Sequence, residues 1–381
     1  MKISDVTVYK VKPRWIFVKI STDEGIEGWG EMISGTKTET VVAGAYEIGN
    51  RLIGRNPFEI ERLFQEMHRS FFRGGPINGT IVSGLEMALW DIKGKAFNVP
   101  VCELLGGAAR DKIKVYSWIG GDRPSEVAEQ AQDRFDRGFT AVKMNATEEL
   151  HYIDSYQKVD EVVERVASIR ERFGDAMDIG VDFHGRVHKP MAKVLAKALE
   201  PFHPMFLEEV VLPENEEHFK EVADSVAVPL ATGERLYTRW QFKNLFKQGT
   251  VDIIQPDVAL CGGILETRKI AAMAEAYDMA VAPHAPYGPV ALAATLQVDS
   301  CTPNVFIQEQ SLGIHYNKGF DLLDFVKNKE VFQYKDGYVD LPSKPGLGLE
   351  MDEDKIKEIA QEGLIWTNPQ WKNYDGTIAE W

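Results

Sequence analysis

Cysteine is scarce. The 381 residues hold three, Cys102, Cys261 and Cys301, an odd number with no CxxC spacing, so neither a disulfide framework nor a zinc motif is indicated. Clustered Lys and Arg are missing as well, and the net charge of −15 disfavours a nucleic acid partner. No apolar run approaches the roughly 20 residues that a membrane-spanning helix needs. The N-terminal MKISDVTVYKV alternates as a strand does and lacks the apolar core of a secretion signal. These absences favour a reduced, cytoplasmic setting and a small-molecule partner, with no nucleic acid or membrane involved.

What is present is length and apolar content. At 381 residues and 44% hydrophobic, the chain has enough material for a large barrel with an attached domain. Residues 1 to about 55 read as strands, with Asp23-Glu24-Gly25 as a turn. Residues 58 to 105 read as helices, and TIVSGLEMALWDIKGKAF sets Ile81, Leu85, Ala88, Leu89 and Ile92 at helical spacing before Asn98 and Pro100 stop the run. From 113 the pattern becomes a repeat. Eight strand-like runs (IKVYSWIGG, AVKMNA, MDIGVDFHG, PMFLEEVV, PLATGER, VDIIQPDVAL, MAVAPHAP, NVFIQEQ) alternate with amphipathic helical stretches. Eight such βα units predict a closed (β/α)8 TIM-type barrel, an α/β fold. The expected division is an α+β capping domain over 1–112, the barrel over 113–320, and a C-terminal segment over 321–381 that returns to the cap. Trp366, Trp371 and Trp381 in that segment read as packing residues.

Six successive barrel strands end in an ionisable residue: Asp182, Glu208 or Glu209, Glu234, Asp257, His284 and Glu309. In a barrel these ends meet at one mouth. Asp182, Glu208 and Glu234 stand 26 residues apart in two equal steps, which favours Glu208 over Glu209 as the fourth strand's contribution. Three convergent carboxylates demand a positive partner. An oxygen-only set suits a hard cation such as Mg2+. The competing explanation is a buried ion network with Lys143, Arg186 and Arg235. In the third strand, the alternation of side chains predicts that Asp182 and His184 point the same way.

DFHGR, FLEE, GER, QPD, APH and QEQ, in that order after WIFVKISTDEGIEGWGE and ALWDIKGK, resemble the mandelate racemase branch of the enolase superfamily. FRGGPI, YSWIGGDRP, LQVD, QEQSLGIHYNKG, LLDFVKNKE and KPGLGLE narrow the resemblance to its sugar-acid dehydratases, over almost the whole chain. The resemblance implies a cap built from both termini, a (β/α)8 barrel, one Mg2+ per subunit held by Asp182, Glu208 and Glu234, and a homo-oligomer. It further implies a catalytic group of His184, Asp257, His284 and Glu309. In such chemistry His284, oriented by Asp257, removes the proton α to the carboxylate, and His184 assists departure of the C3 hydroxyl. Glu309 could serve the second carboxylate oxygen only if protonated or bridged by another donor. Lys143 and Asn145 share a face of the second strand; Asn145 stands where a lysine-based racemase would want a second lysine. Lys143, Asn145 and Trp15 are expected substrate contacts, Trp15 together with the segment 33–41, ISGTKTETV, closing over the distal hydroxyls. A dehydratase for another aldonate, gluconate-like or a pentonate, an epimerase with two opposed histidines, and a non-catalytic sugar-acid binding protein remain as alternative readings.

Overall fold

A computed structural model describes residues 1–35, 37–69, 73, 75–364 and 366–380. Thr36 of the expected cap loop, Phe72 and Gly74 of FRGGPI, and Trp381 lie outside the described residues. The first three strands, β1 (Ile3–Val11), β2 (Trp15–Thr22) and β3 (Glu27–Ile33), form an antiparallel sheet. Asp23-Glu24-Gly25 makes the turn between β2 and β3, with Gly25 at φ +78° where a side chain would be strained. Behind the sheet runs the long helix Gly75–Phe97. The two glycines of GWGE allow its close approach. A Cβ on Gly30 would lie 1.8 Å from the Gly84 carbonyl oxygen, and one on Gly28 would lie 2.0 Å from that of Ala88.

The barrel strands are β4 (Lys112–Ile119), β5 (Ala141–Asn145), β6 (Asp178–Asp182), β7 (Phe206–Glu208), β8 (Leu230–Thr232), β9 (Ile253–Ile254), β10 (Ala280–Val281) and β11 (Gln308–Gln310). They pair in parallel in chain order; β11 returns to β4, and a bridge between Val281 and Val305 joins the last two units. The chain therefore folds as a closed (β/α)8 barrel with an N-terminal α+β cap. The barrel's interior is filled by Tyr116, Phe206, Ile253 and Ile307 alternating with the small Ala141, Ala231 and Ala282. All eight expected strands are present, though shorter than their apolar runs.

Two features depart from expectation. β6 stops at Asp182, and His184 sits at φ +57° in the turn that follows, so strand alternation does not bring Asp182 and His184 together. After the barrel, a hairpin of β12 (Tyr334–Lys335) and β13 (Tyr338–Asp340) adds antiparallel to the start of β4. Strands this short carry too little periodicity to be read from a sequence.

The following helix, Glu353–Ala360, packs on the cap sheet through Glu353. Its carboxylate accepts from Lys19 Nζ at 2.8 Å and Tyr9 Oη at 2.7 Å, and Lys357 lies at 2.9 Å. Burial opposes ionisation, but Lys19, Lys357 and Tyr9 outweigh it and hold the group at about 2. A carboxyl depressed on folding stabilises above its unfolded value and loses that contribution as pH falls through the folded one. Glu353→Gln should therefore cost roughly 1–2 kcal/mol at pH 7 after solvent screening. The gap to the unsubstituted protein, measured by urea unfolding, should narrow from pH 5 towards pH 3; a gap independent of pH would refute the assignment.

Candidate active site

At the C-terminal ends of the barrel strands lies a cleft lined by Lys143, Asp182, His184, Glu234, His284 and Glu309, with Arg235 beside them. Parallel strands in register explain the meeting. Asn145 pairs with Asp182 and Asp182 with Glu208, so equivalent positions of successive strands stand side by side. The Asp257–His284 bridge continues the ladder beyond β9 and β10.

Asp182, Glu208 and Glu234 are buried and each offers an oxygen, these atoms all lying within 4.8 Å of one another. Lys143 supplies part of the compensating charge. Its Nζ lies 2.8 Å from Glu208 Oε1, 3.0 Å from Glu309 Oε1 and 4.0 Å from Asp182 Oδ2. Burial would strip its proton, but Glu208 and Glu309 hold it as an ammonium well above the usual lysine range. One ammonium does not satisfy the group: Oε2 of Glu208 and Oε2 of Glu234 are buried without a hydrogen-bond partner. Buried carboxylate oxygens left without a hydrogen bond are costly unless a cation compensates them, and for Glu234 Oε2 the nearest cationic group is His284 Nε2 at 3.4 Å. The donor set, oxygen throughout, fits a hard divalent ion. Lys143 thus belongs to the ion network that the sequence offered as a competing explanation, and the network leaves room for a metal.

The neighbouring Glu209 is also buried at the mouth. One of its oxygens belongs to a second group of potential ligand atoms, with Asp182 and His184, all within 4.8 Å of one another, but an arginine engages this acid. Both its oxygens take Arg235 Nε, at 2.9 and 3.0 Å, and Arg235 also donates to the His184 carbonyl at 3.0 Å. This ties the end of β8 to the turn after β6. His184 itself is fixed by Asp182, whose Oδ1 accepts its backbone N–H at 2.6 Å while Oδ2 lies 3.1 Å from its Nδ1. An aspartate turn, not strand alternation, makes this pair.

His284 Nδ1 lies 2.9 Å from Asp257 Oδ2, and Asp257 Oδ1 accepts the Ala259 N–H at 2.7 Å. His284 Nε2 faces Glu234 Oε2 at 3.4 Å and Glu309 Oε2 at 3.8 Å. Burial would lower the imidazole's pKa, yet Glu234, Glu309 and Asp257 together raise it to about 10. Glu309 has its other contacts occupied, accepting the Ala285 N–H at 3.0 Å besides Lys143. Lys143, ion-paired with Glu309 at 3.0 Å, lines the cleft beside it.

Two expected substrate contacts do not reach it. Trp15 is 1% exposed and its ring packs on Phe17 and Phe325 in the cap core. Asn145 is fully buried, with its amide 3.5 Å from the Asp122 carbonyl, and does not line the cleft. Trp15 opens β2 on its core side; the register sets Asn145 beside Asp182, and its full burial keeps it out of the cleft's lining. Arg14, one residue earlier, lines the cleft instead. Its guanidinium donates to the Pro286 carbonyl, lies 3.3 Å from Asn317 Oδ1, and stacks 4.7 Å from Tyr316 and 5.8 Å from Trp366. Trp366, expected as packing, thus forms a wall of the site together with Asn368, Tyr287 and Trp118. Trp371 stacks under the Arg123 guanidinium at 4.2 Å. From the cap loop, Ile33, Ser34 and Gly35 reach the cleft. Arg14, Trp366 and Asn368 come from irregular segments near the chain's two ends, Trp118 from β4, and Tyr287 and Tyr316 from the segments after β10 and β11; only the YSWIGGDRP and QEQSLGIHYNKG motifs signal Trp118 and Tyr316 in the sequence.

Comparison with known proteins agrees with this architecture. Residues 1–106 match the mandelate racemase/muconate lactonizing enzyme N-terminal domain, and residues 126–355 match the enolase C-terminal domain-like family. D-Galactonate dehydratase of Cronobacter sakazakii (strain ATCC BAA-894) is 51% identical over 382 residues, all of both chains. A crystal structure from Agrobacterium radiobacter, provisionally named a galactarate dehydratase and holding sodium and L-malate, superposes with a TM-score of 0.90. It is 33% identical, with all of both chains covered. A mandelate racemase/muconate lactonizing enzyme-like protein from Roseovarius sp. TM1035 gives 0.85 at 33% identity, covering 94% of this chain and 95% of its own. The chain belongs to the mandelate racemase subgroup of the enolase superfamily.

Proposed function

We propose that this protein is a Mg2+-dependent sugar-acid dehydratase that removes the C2 proton of an aldonate and expels the C3 hydroxyl, giving a 2-keto-3-deoxy acid. The observation that carries the reading is the pairing of His284 with Asp257 in one cleft with the Asp182–His184 pair and three clustered acids. D-Galactonate is the preferred substrate, on the strength of the full-length relative. The reading includes one metal per subunit and a cytoplasmic homo-oligomer acting on a small molecule.

Asp182, Glu208 and Glu234 would hold the metal through their clustered oxygens. When bound, the cation supplies electrophilic stabilisation of the negative charge that grows on the substrate carboxylate. Asp257 fixes the His284 ring through Nδ1 and leaves Nε2 towards the cleft as the atom that takes the C2 proton. With Glu234's charge shared elsewhere, the support for imidazolium falls and the neutral base becomes accessible. Lys143, held by Glu208 and Glu309, presents its cation beside the base for the same carboxylate. His184, fixed by Asp182, delivers a proton through Nε2 to the departing C3 oxygen. The aromatic wall and Arg14 exclude water and meet the distal hydroxyls.

If the histidines divide the work in this way, His184→Asn should still exchange the substrate's C2 hydrogen with solvent deuterium while failing to dehydrate it. His284→Asn should do neither, each loss being about 10²- to 10⁴-fold in the step served. Proton NMR of D-galactonate follows the exchange, and a keto-acid assay follows the product. Retention of exchange in His284→Asn alone would reverse the roles, and epimerisation without keto acid would favour an isomerase. For the metal, Glu234→Gln should bind Mg2+ at least about tenfold more weakly in calorimetry. Turnover that survives exhaustive chelation would sink the metal assignment. At the distal end, Arg14→Met should raise KM by about tenfold, the loss of a charge-assisted contact. Trp15→Phe should lower thermal stability and leave KM within about twofold; equal effects on KM would count against Arg14 as the contact.

A further inference from the structure

The segment from His284 to Gly288 joins the proposed base to the helix Pro289–Ser300, and it is held at nearly every residue. Ala285 donates to Glu309, the Pro286 carbonyl accepts from Arg14, the Tyr287 carbonyl accepts from Ser311 Oγ, and Tyr287 sets its ring edge-on to His284. The last holdfast comes from the small sheet. Glu31 on β3 accepts the Gly288 N–H through Oε1 at 2.6 Å and the Ala291 N–H through Oε2 at 2.9 Å. The helix has no cap of its own at this end: Gly288 lacks a side chain and Pro289 lacks an N–H. Glu31 is buried, and a Cβ on Gly288 would fall 2.6 Å from its Oε1, so the glycine makes the room that the carboxylate occupies. Arg14, the other cap residue on this segment, adds attractive charge to Glu31.

We propose that Glu31 is a positioning residue for His284, anchoring the base-bearing segment to the cap. The consequence for catalysis rests on the dehydratase reading; the anchoring itself does not. Glu31 lies on the same strand as Ile33 and just before Ser34 and Gly35, all of which line the cleft. Contacts made by a bound molecule with that loop are thereby linked mechanically to the base. A glutamine at 31 keeps one acceptor oxygen but turns an NH2 towards a backbone N–H, so one of the two anchors is lost.

A second buried glutamate provides the comparison. Glu86 caps the helix Ile264–Glu275, accepting from Ile264 at 2.7 Å and Leu265 at 3.0 Å, and a Cβ on Gly263 would meet it at 2.1 Å. None of residues 258–263 lines the cleft. Glu86→Gln should therefore destabilise the fold much as Glu31→Gln does without disturbing the base. The test compares these two variants and Gly288→Ala, which displaces the Glu31 carboxylate without changing its charge and stands in should Glu31→Gln not fold. The ring N–H resonance of His284, assigned through His284→Asn, is read by ¹⁵N-imidazole NMR, and kcat and KM are measured on D-galactonate. Glu31→Gln and Gly288→Ala should shift or broaden that resonance and lower kcat about 10- to 100-fold with KM within about threefold. Glu86→Gln should leave both as in the unsubstituted protein. An unchanged resonance in Glu31→Gln and Gly288→Ala, or the same change in Glu86→Gln, would overturn the proposal. If the unsubstituted protein failed to turn over any sugar acid, the dehydratase reading would fall while the resonance still decided the anchoring.

Discussion

Like charges brought together out of water set the terms for the whole barrel mouth. Asp182, Glu208, Glu234 and Glu309 converge where little solvent reaches, and Lys143 answers only part of their charge. The arrangement is carried by strands paired in register on both sides, which fix where the carboxylates start. The balance left over is what a bound divalent cation would supply. A site built on repulsion is also one whose protonation states depend on occupancy. The pKa of His284 is pushed upward by the acids around it, so neutralising their charge would lower it again.

Neutralising neighbours keep this strain local. Arg235 takes both oxygens of Glu209 and the carbonyl of His184, which answers the charge of the second buried acid on adjacent residues. The Asp182 turn, with His184 and Gly185 both at positive φ, then aims the imidazole without help from the sheet. His184 sits two residues beyond the end of β6, where the chain has the backbone freedom that a strand lacks.

How much of this is legible in the sequence follows from periodicity. Strands recurring at one βα interval set Asp182, Glu208 and Glu234 at equal spacing along the chain, and parallel pairing of Asp182 with Glu208 makes that spacing a statement about space. The eight strands are readable for the same reason. His184 does lie beside Asp182, but for a different cause than alternation, because a turn and a strand leave the same two-residue spacing in a sequence. Trp15 and Trp366 exchange the roles expected of them: one enters the cap core and the other the cleft. Nothing in an isolated tryptophan reports which side it faces. Arg14 leaves no signal because its partners, Pro286, Tyr316 and Trp366, lie hundreds of residues away on segments with no repeat.

That asymmetry has a physical origin. Groups that move protons or hold a metal need positions fixed to a fraction of an ångström, which only paired strands provide, and paired strands write a period into the sequence. Groups that judge the far end of a substrate need reach and variety, which loops and chain ends provide without any period. The cap supplies Arg14 and Ile33–Gly35, and the C-terminal segment supplies Trp366 and Asn368, so the outer half of the cleft exists only once both ends of the chain have docked on the barrel. Glu31 and Arg14 show that docking also acts inward, since both grip the segment behind His284. If His284 is the base, selectivity and catalysis would be joined through this shared backbone span, because Arg14 both lines the cleft and holds the Pro286 carbonyl.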